Sequence, residues 1–185
     1  MRLSTDFHTI PDDFSKHAGD DAVLSGEPIV SFPFYVDELP EGAQYLHWEF
    51  VDPDSIPVCG FEWIHWSVAN LPIDALMYDF NDSHALAIPP DFSRTLPSMI
   101  PEAVQGRNSQ ASKLVGASDP NLTMRYTGPT PPDKDHEYLL RAWATAEPLP
   151  NLNQGFWLNE MLRELRHSQE ESAAQPAGLW LLGRV

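Results

Sequence analysis

The sequence predicts a mainly β protein, a β-sandwich with one peripheral helix near its C-terminus. Short apolar and aromatic segments recur along the chain between turn-forming stretches, as expected for strands with one buried face. Proline accounts for 18 of the 185 residues, and proline favours turns and sheet edges over helix interiors. Only residues 158–165 combine several apolar side chains at helical spacing.

The first half of the chain holds three of the predicted strands. Residues 1–27 are polar and mixed, which indicates an extended arm or short strand followed by a loop. Residues 28–36 are apolar with prolines at the start and in the middle, which suits an edge strand or a bulge. Residues 46–51 alternate with a period of two, and 63–71 form the next strand.

The middle of the chain is the least regular part. Prolines at 89, 90, 97 and 101 exclude long helices from residues 74–120. A structureless loop of that length is uncommon inside a compact domain. We therefore expect short strands or helical turns there, no boundary, and one domain over residues 1–185.

The C-terminal part supplies the helix and two further strands. Residues 138–145 are predicted to form a strand, and residues 179–182 a last short strand or anchor. Between them, Leu158, Met161, Leu162 and Leu165 follow the i, i+3, i+4, i+7 pattern of one helix face. Asn151 and Asn153 are candidate caps, and residues 168–176 end the helix.

Charge and cysteine content narrow the class of protein. The formal net charge is −16, which disfavours binding to nucleic acid and to anionic lipid surfaces. Cys59 is the sole cysteine, so no intrachain disulfide forms, and we interpret it as a loop residue. No signal core and no membrane-spanning run is recognisable, so we expect a cytoplasmic protein.

Two segments contain the residues best suited to chemistry. Asp52 and Asp54 flank a proline, which is typical of a turn, although a D-x-D pair also suits a divalent cation. Alternation over 63–71 places His65 on the face opposite Trp66, where a lone histidine is usually structural. His136 follows a loop, a better place for function, and with His65 and Asp52 it would make three ligands of a weakly signalled zinc site.

The stretch from Gly128 to Pro132 is rich in proline. It lacks the pattern of a phosphate-binding loop and has few backbone N–H groups to offer. It is equally suited to a rigid pocket wall and to a simple tight turn.

Taken together, these segments resemble the phosphatidylethanolamine-binding protein family, in particular its bacterial Raf-kinase-inhibitor-like branch. The resemblance spans residues 28 to about 146. It rests on 31–34 (Ser-Phe-Pro-Phe), 39–42 (Leu-Pro-Glu-Gly), 52–57, 62–66, 106–109 and 126–138. It implies a Greek-key antiparallel β-sandwich with a C-terminal helix and a small anion pocket at one end. The implied lining is Asp52, Pro57, His65, Gly128, Pro131, His136 and Tyr138.

The chain departs from the family pattern near this pocket. The 52–57 stretch is one residue longer, Thr130 replaces a small residue or cysteine, and Glu137 replaces a basic residue. Protonated His65 and His136 would attract an anion, whereas Asp52 would repel a dianion or orient a histidine. We therefore expect weak anion binding that strengthens below neutral pH.

The resemblance implies a binding or regulatory module without turnover and without a cofactor. Its expected ligand is a small anion such as phosphate, phosphoethanolamine or a carboxylate. A kinase or protease partner and a homodimer are expected by analogy alone. The alternatives are an interaction scaffold with a vestigial pocket, and a hydrolase or lyase that uses His65 and His136 as acid and base with Asp52.

Overall fold

The computed structural model describes residues 1–79, 81–82, 84–169 and 175–185. In chain order the strands are β1 (Arg2–Ser4), β2 (Val23–Leu24), β3 (Glu27–Pro28), β4 (Phe34–Asp37), β5 (Tyr45–Asp52), β6 (Trp63–Pro72), β7 (Met77–Tyr78), β8 (Leu86–Ile88), β9 (Val104–Gln105), β10 (His136–Thr145) and β11 (Ala177–Gly183). The α-helices are α1 (Ile56–Cys59), α2 (Phe92–Met99), α3 (Pro120–Thr123) and α4 (Leu158–Gln169).

Two antiparallel sheets form the sandwich that the sequence predicts. The larger sheet has the strand order β11-β10-β5-β6-β9, and the smaller one has the order β1-β4-β8-β7. The short strands β2 and β3 pair with each other as a separate hairpin. Sequence neighbours are often not spatial neighbours: β10 joins β11 to β5, so the late strands complete a sheet begun early in the chain.

The main core lies between the two sheets. Phe34 and Val36 of the smaller sheet belong to the same buried cluster as Trp48 and Phe50 of the larger one. Phe32, in the loop before β4, packs its ring edge-on to Phe50 at 4.9 Å between centroids. The predicted strand over 28–36 is therefore wrong in extent: it begins only at residue 34, although its aromatic residues are buried as expected.

A second cluster covers the outer face of the larger sheet. Helix α4 places Met161 and Leu165 against Trp143 of β10, which confirms the predicted helix and its apolar face. The predicted asparagine caps are wrong, because α4 begins at Leu158 and the Glu160 carboxylate accepts the N–H of Trp157 at 2.7 Å. The predicted end of this helix falls partly on residues 170–174, outside the described part.

Strand β6 contains two irregularities that reset its side-chain alternation. Phe50 pairs with Trp66 and Val51 pairs with Ile64, so β6 carries one extra residue there, a β-bulge. Ile64 consequently packs in the second cluster, while the ring of His65 lies 5.6 Å from that of Phe50 in the main core. The prediction that His65 faces away from Trp66 is wrong because a bulge breaks strict period-two alternation.

The middle of the chain is irregular and contains short strands and helices, as predicted. Strands β7, β8 and β9 and the helix α2 lie in it, and α2 includes Pro97. Of the helices in the described part of the chain, none has the length and apolar character needed to cross a bilayer.

Candidate functional site

Antiparallel pairing brings the end of β5 next to the start of β10. Asp52 is the last residue of β5 and His136 is the first residue of β10. His136 Nδ1 lies 2.8 Å from Asp52 Oδ2, and both side chains are buried. The sheet therefore builds a carboxylate–imidazole pair from residues that are 84 positions apart in the sequence.

The chain leaves β5 through a tight turn that the Asp-Pro-Asp sequence explains. Asp52 Oδ1 accepts the N–H of Ser55 at 3.1 Å, and Pro53 occupies the first position of a 3-10 turn. Asp54 Oδ2 accepts the N–H of Glu137 at 3.0 Å. Both carboxylates thus have structural partners, which supports the turn interpretation. The described residues contain no group of three or more histidine, cysteine or acidic side chains arranged to hold a metal ion.

The turn continues into the single-turn helix α1. Gly60 follows it with a φ of 92°, in the left-handed region that ends helices and favours glycine. Cys59 is the last residue of α1 and is exposed, so its interpretation as a loop residue is wrong. Its Sγ lies 3.4 Å from the carbonyl oxygen of Ser55 and 3.3 Å from that of Phe61.

A cavity of about 170 Å³ opens where α1, β6, β10 and the proline-rich loop meet. Apolar surface dominates its lining. On the proline side, the Nζ of Lys16 donates a hydrogen bond to the Pro131 carbonyl at 2.9 Å. The residues that line the cavity are Asp52, Ser55, Val58, Cys59, Trp63, His65, Thr130, Pro131, Pro132, His136 and Tyr138.

His65 enters this cavity as a neutral hydrogen-bond acceptor. Its Nδ1 lies 2.7 Å from the carbonyl oxygen of Thr127. A carbonyl only accepts, so the proton is assigned to Nδ1 and a neutral ring leaves Nε2 as an acceptor. Burial lowers the pKa of His65 to about 4. None of the described residues hydrogen-bonds to Nε2, which leaves that nitrogen for a ligand.

His136 has the opposite electrostatic character. Its Nε2 lies 2.9 Å from Asp133 Oδ1, so each ring nitrogen has a carboxylate partner. Burial alone would lower the pKa of His136, but the hydrogen bonds to Asp52 and Asp133 outweigh it, and the pKa lies above its ordinary value. The expectation that both histidines supply positive charge is therefore wrong for His65.

Tyr138 completes the polar part of the lining. Its side chain is buried, and its ring lies 5.2 Å edge-on from that of His65. Burial raises the pKa of the Tyr138 phenol, and the charge of Asp52 raises it further. The hydroxyl therefore stays protonated, and its single proton lies beside the Asp52 carboxylate, which can accept it.

Two of the seven site residues implied by the resemblance lie elsewhere. Pro57 is exposed on α1 and does not line the cavity, because the longer 52–57 stretch forms a helical turn. Gly128 is buried against the N-terminal segment: its N–H donates to Pro28 at 2.8 Å, and an added Cβ would lie 2.4 Å from the Phe14 carbonyl oxygen. The structure does bring the other five together: Asp52, His65, Pro131, His136 and Tyr138.

Sequence reasoning missed the contribution of α1 to the cavity. A glycine directly after Ile56–Cys59 is a helix-stop signal that was available in the sequence. It would have predicted a helical turn, which places Val58 and Cys59 at the cavity. The contact of Asp133 with His136 had no comparable signal, because several acidic residues surround that loop.

Comparisons with known proteins agree with this architecture. Residues 4–175 match the family described as PBP, phosphatidylethanolamine-binding protein. The uncharacterized protein YxkA of Bacillus subtilis (strain 168) is 40% identical over 174 residues, which cover 94% of this chain and 93% of that protein.

Two solved structures share the fold at low sequence identity. The Escherichia coli protein YbcL, described as a new member of the mammalian PEBP family, is 19% identical with a TM-score of 0.68, covering 100% of this chain and 98% of that one. The Chlamydia trachomatis PEBP homologue CT736 is 22% identical with a TM-score of 0.63, covering 98% and 95% respectively.

Proposed function

Because this chain belongs to the phosphatidylethanolamine-binding protein family, we propose that it is a binding module whose cavity accepts one small anionic group without turnover. The ligand class is phosphate, phosphoethanolamine or a carboxylate; of these, only a phosphate group near neutral pH also keeps a proton that His65 Nε2 can accept. The observation that carries the proposal is His65 Nε2, which has no hydrogen-bond partner among the described residues and belongs to a side chain that lines a mostly apolar cavity. Asp52, Pro131, His136 and Tyr138 form the remaining ligand-binding surface.

The accepting nitrogen selects the protonation state of the anion. A fully ionised phosphate has no proton to give, so it cannot hydrogen-bond to the neutral His65 Nε2. It would also face the Asp52 carboxylate. A monoprotonated phosphate monoester, whose second pKa is about 6, can donate its P–OH to Nε2. This supports an affinity that rises below neutral pH because the phosphate becomes protonated there, while His65 itself stays neutral.

Donors and positive charge near the cavity can hold the remaining ligand oxygens. The Thr130 side chain is part of the lining, and its hydroxyl can donate a hydrogen bond. The Tyr138 hydroxyl also lies in the lining, where the ligand would compete with Asp52 for its proton. Lys16 brings one positive charge to the Pro131 carbonyl. These groups partly offset Asp52, which supports a weak, single-anion site in an acidic protein.

The arrangement favours binding over turnover. The cavity contains one thiol, that of Cys59, and its Sγ contacts two backbone carbonyl oxygens. Nucleophilic catalysis needs a nucleophile within hydrogen-bond reach of a base. Among the described cavity residues, neither His65 nor His136 hydrogen-bonds to that thiol. A hydrolase or lyase role therefore has no observation that favours it.

The wider role proposed for the module is regulatory and follows the family. We expect one domain over residues 1–185 that works in the cytoplasm, with a kinase or protease as protein partner and a homodimer as assembly. The exposed apolar residues Ile56 and Val58 of α1 lie beside the cavity and offer a contact surface to such a partner.

A calorimetric comparison of two ligands of equal charge tests the proposal. At about pH 5.5, methyl phosphate is largely a monoanion with a P–OH, whereas dimethyl phosphate is a monoanion without one. We expect methyl phosphate to bind about tenfold more tightly, the effect of one additional hydrogen bond, from its P–OH to His65 Nε2. Equal affinities, or no binding of either ligand, would contradict the proposal. Added methyl phosphate should also remain unhydrolysed.

A further inference from the structure

The loop that follows the proline-rich stretch carries a carboxylate, Asp133, that contacts a cavity residue from the protein surface. Asp133 directly follows Pro132, a cavity residue, and its Oδ1 lies 2.9 Å from His136 Nε2. The Asp133 side chain is 53% exposed, whereas that of His136 is only 1% exposed. Asp133 is thus a surface group that reaches a buried imidazole at the edge of the cavity.

The second carboxylate is not needed to orient His136. Asp52 already fixes the ring through Nδ1 from inside the fold. With Nδ1 engaged, the Nε2–H of an imidazolium is a charge-assisted donor, the kind of group that binds oxyanions. Asp133 presents to this donor the same chemical group as a small carboxylate ligand.

We infer that Asp133 is an internal anion that occupies the Nε2–H of His136 and competes with external phosphate or carboxylate for it. This inference rests on the function proposed above. A tethered group on a short loop acts at a high effective concentration, on the order of millimolar. Free anions well below that concentration therefore do not displace Asp133 from His136, and this contact lowers the affinity that the rest of the site provides.

Three variants separate occupation of Nε2 from a general effect of charge. Asp133→Ala frees the donor, whereas Asp133→Asn keeps an oxygen that can accept the Nε2–H. Glu137→Gln removes one negative charge from an exposed residue next to His136 and touches neither ring nitrogen. Both positions, Asp133 and Glu137, are on the surface, so the three variants are expected to fold.

The experiment measures methyl phosphate affinity by calorimetry at about pH 5.5. We expect Asp133→Ala to bind about tenfold more tightly than the wild type, with Asp133→Asn and Glu137→Gln within about threefold of it. Methyl phosphate should shift the nitrogen NMR resonance of His136 Nε2 clearly more in Asp133→Ala than in the wild type.

The outcomes distinguish the inference from the proposed function. If the wild type binds methyl phosphate and Asp133→Ala binds it no more tightly, Asp133 does not compete with the ligand, and the inference fails while the proposed function stands. If Glu137→Gln gains as much affinity for methyl phosphate as Asp133→Ala does, the gain comes from the change in net charge and the inference fails. If neither the wild type nor Asp133→Ala binds, the proposed function itself fails.

Discussion

Buried neutral histidines give the fold a pH dependence that can be followed at single residues. His47 Nδ1 accepts the N–H of Asn70 at 3.0 Å, and its Nε2 lies 2.8 Å from Thr145 Oγ1. Burial lowers the pKa of His47 to about 3 and that of His65 to about 4. Both rings are therefore neutral in the folded protein near neutral pH.

The direction of the effect on stability follows from proton uptake. Below pH about 6.5 the unfolded chain protonates His47 and His65 while the folded protein does not, so stability falls as the pH falls toward 3–4. His136 acts in the opposite sense. Its raised pKa contributes stability that is complete below its ordinary value of 6.5 and is lost as the pH rises through the folded value.

The substitution His47→Asn should make the protein less sensitive to mild acid. Asparagine retains an acceptor for the Asn70 N–H but does not titrate. Between about pH 7 and 5, the wild type should lose roughly 2 kcal/mol more unfolding free energy than the variant. Urea unfolding followed by tryptophan fluorescence measures this difference. The exposed His167→Asn serves as control, and an equal pH dependence of wild type and His47→Asn would contradict the account.

At the scale of elements, the short helix α1 decides how the cavity is lined. The extra residue in the 52–57 stretch closes a helical turn, and this turn exposes Pro57 while Val58 and Cys59 reach the cavity. The bulge in β6 has a comparable effect on the opposite side, because it places His65 beside Phe50. In both cases one extra residue in the backbone changes the direction in which the neighbouring side chains point.

Alkylation of the single cysteine tests the placement of α1. We expect N-ethylmaleimide to modify Cys59, which is exposed, and to reduce methyl phosphate affinity about tenfold or more by filling the cavity mouth. Methyl phosphate should in turn slow the alkylation. Cys59→Ser treated with the same reagent should keep its affinity. Alkylated wild-type protein that binds as well as untreated protein would place Cys59 away from the ligand.

At the scale of the whole molecule, most of the fold was predictable. Alternation at residues 46–51 and the stripe from Leu158 to Leu165 identified β5 and α4, because burial imposes those periods on the sequence. The bulge before Trp66 was not predictable, since an extra residue in one strand is defined only by its partner β5.

The candidate site was predictable in part. The resemblance supplied Asp52, His65 and His136, which the sheet does bring to one cavity. The protonation states of His65 and His136 were not predictable, because they depend on contacts with the Thr127 carbonyl and with Asp133 that form only in the folded chain.

The net charge of −16 sets the electrostatic background for any ligand. Such a field disfavours dianions more than monoanions, and the accepting Nε2 of His65 adds the same preference locally. Both effects favour a protonated monoanion over a dianion. This preference therefore comes from the charge of the whole molecule as well as from the site.

The most direct test follows the imidazole nitrogens of His65 by NMR during addition of methyl phosphate, at about pH 5.5 and at about pH 8. We expect the Nε2 resonance to move at the lower pH, where Nε2 accepts a hydrogen bond from the ligand's P–OH, while Nδ1 stays bonded to the Thr127 carbonyl. At the higher pH it should move little. An Nε2 resonance that responds more strongly at the higher pH, or at neither pH, would contradict the account.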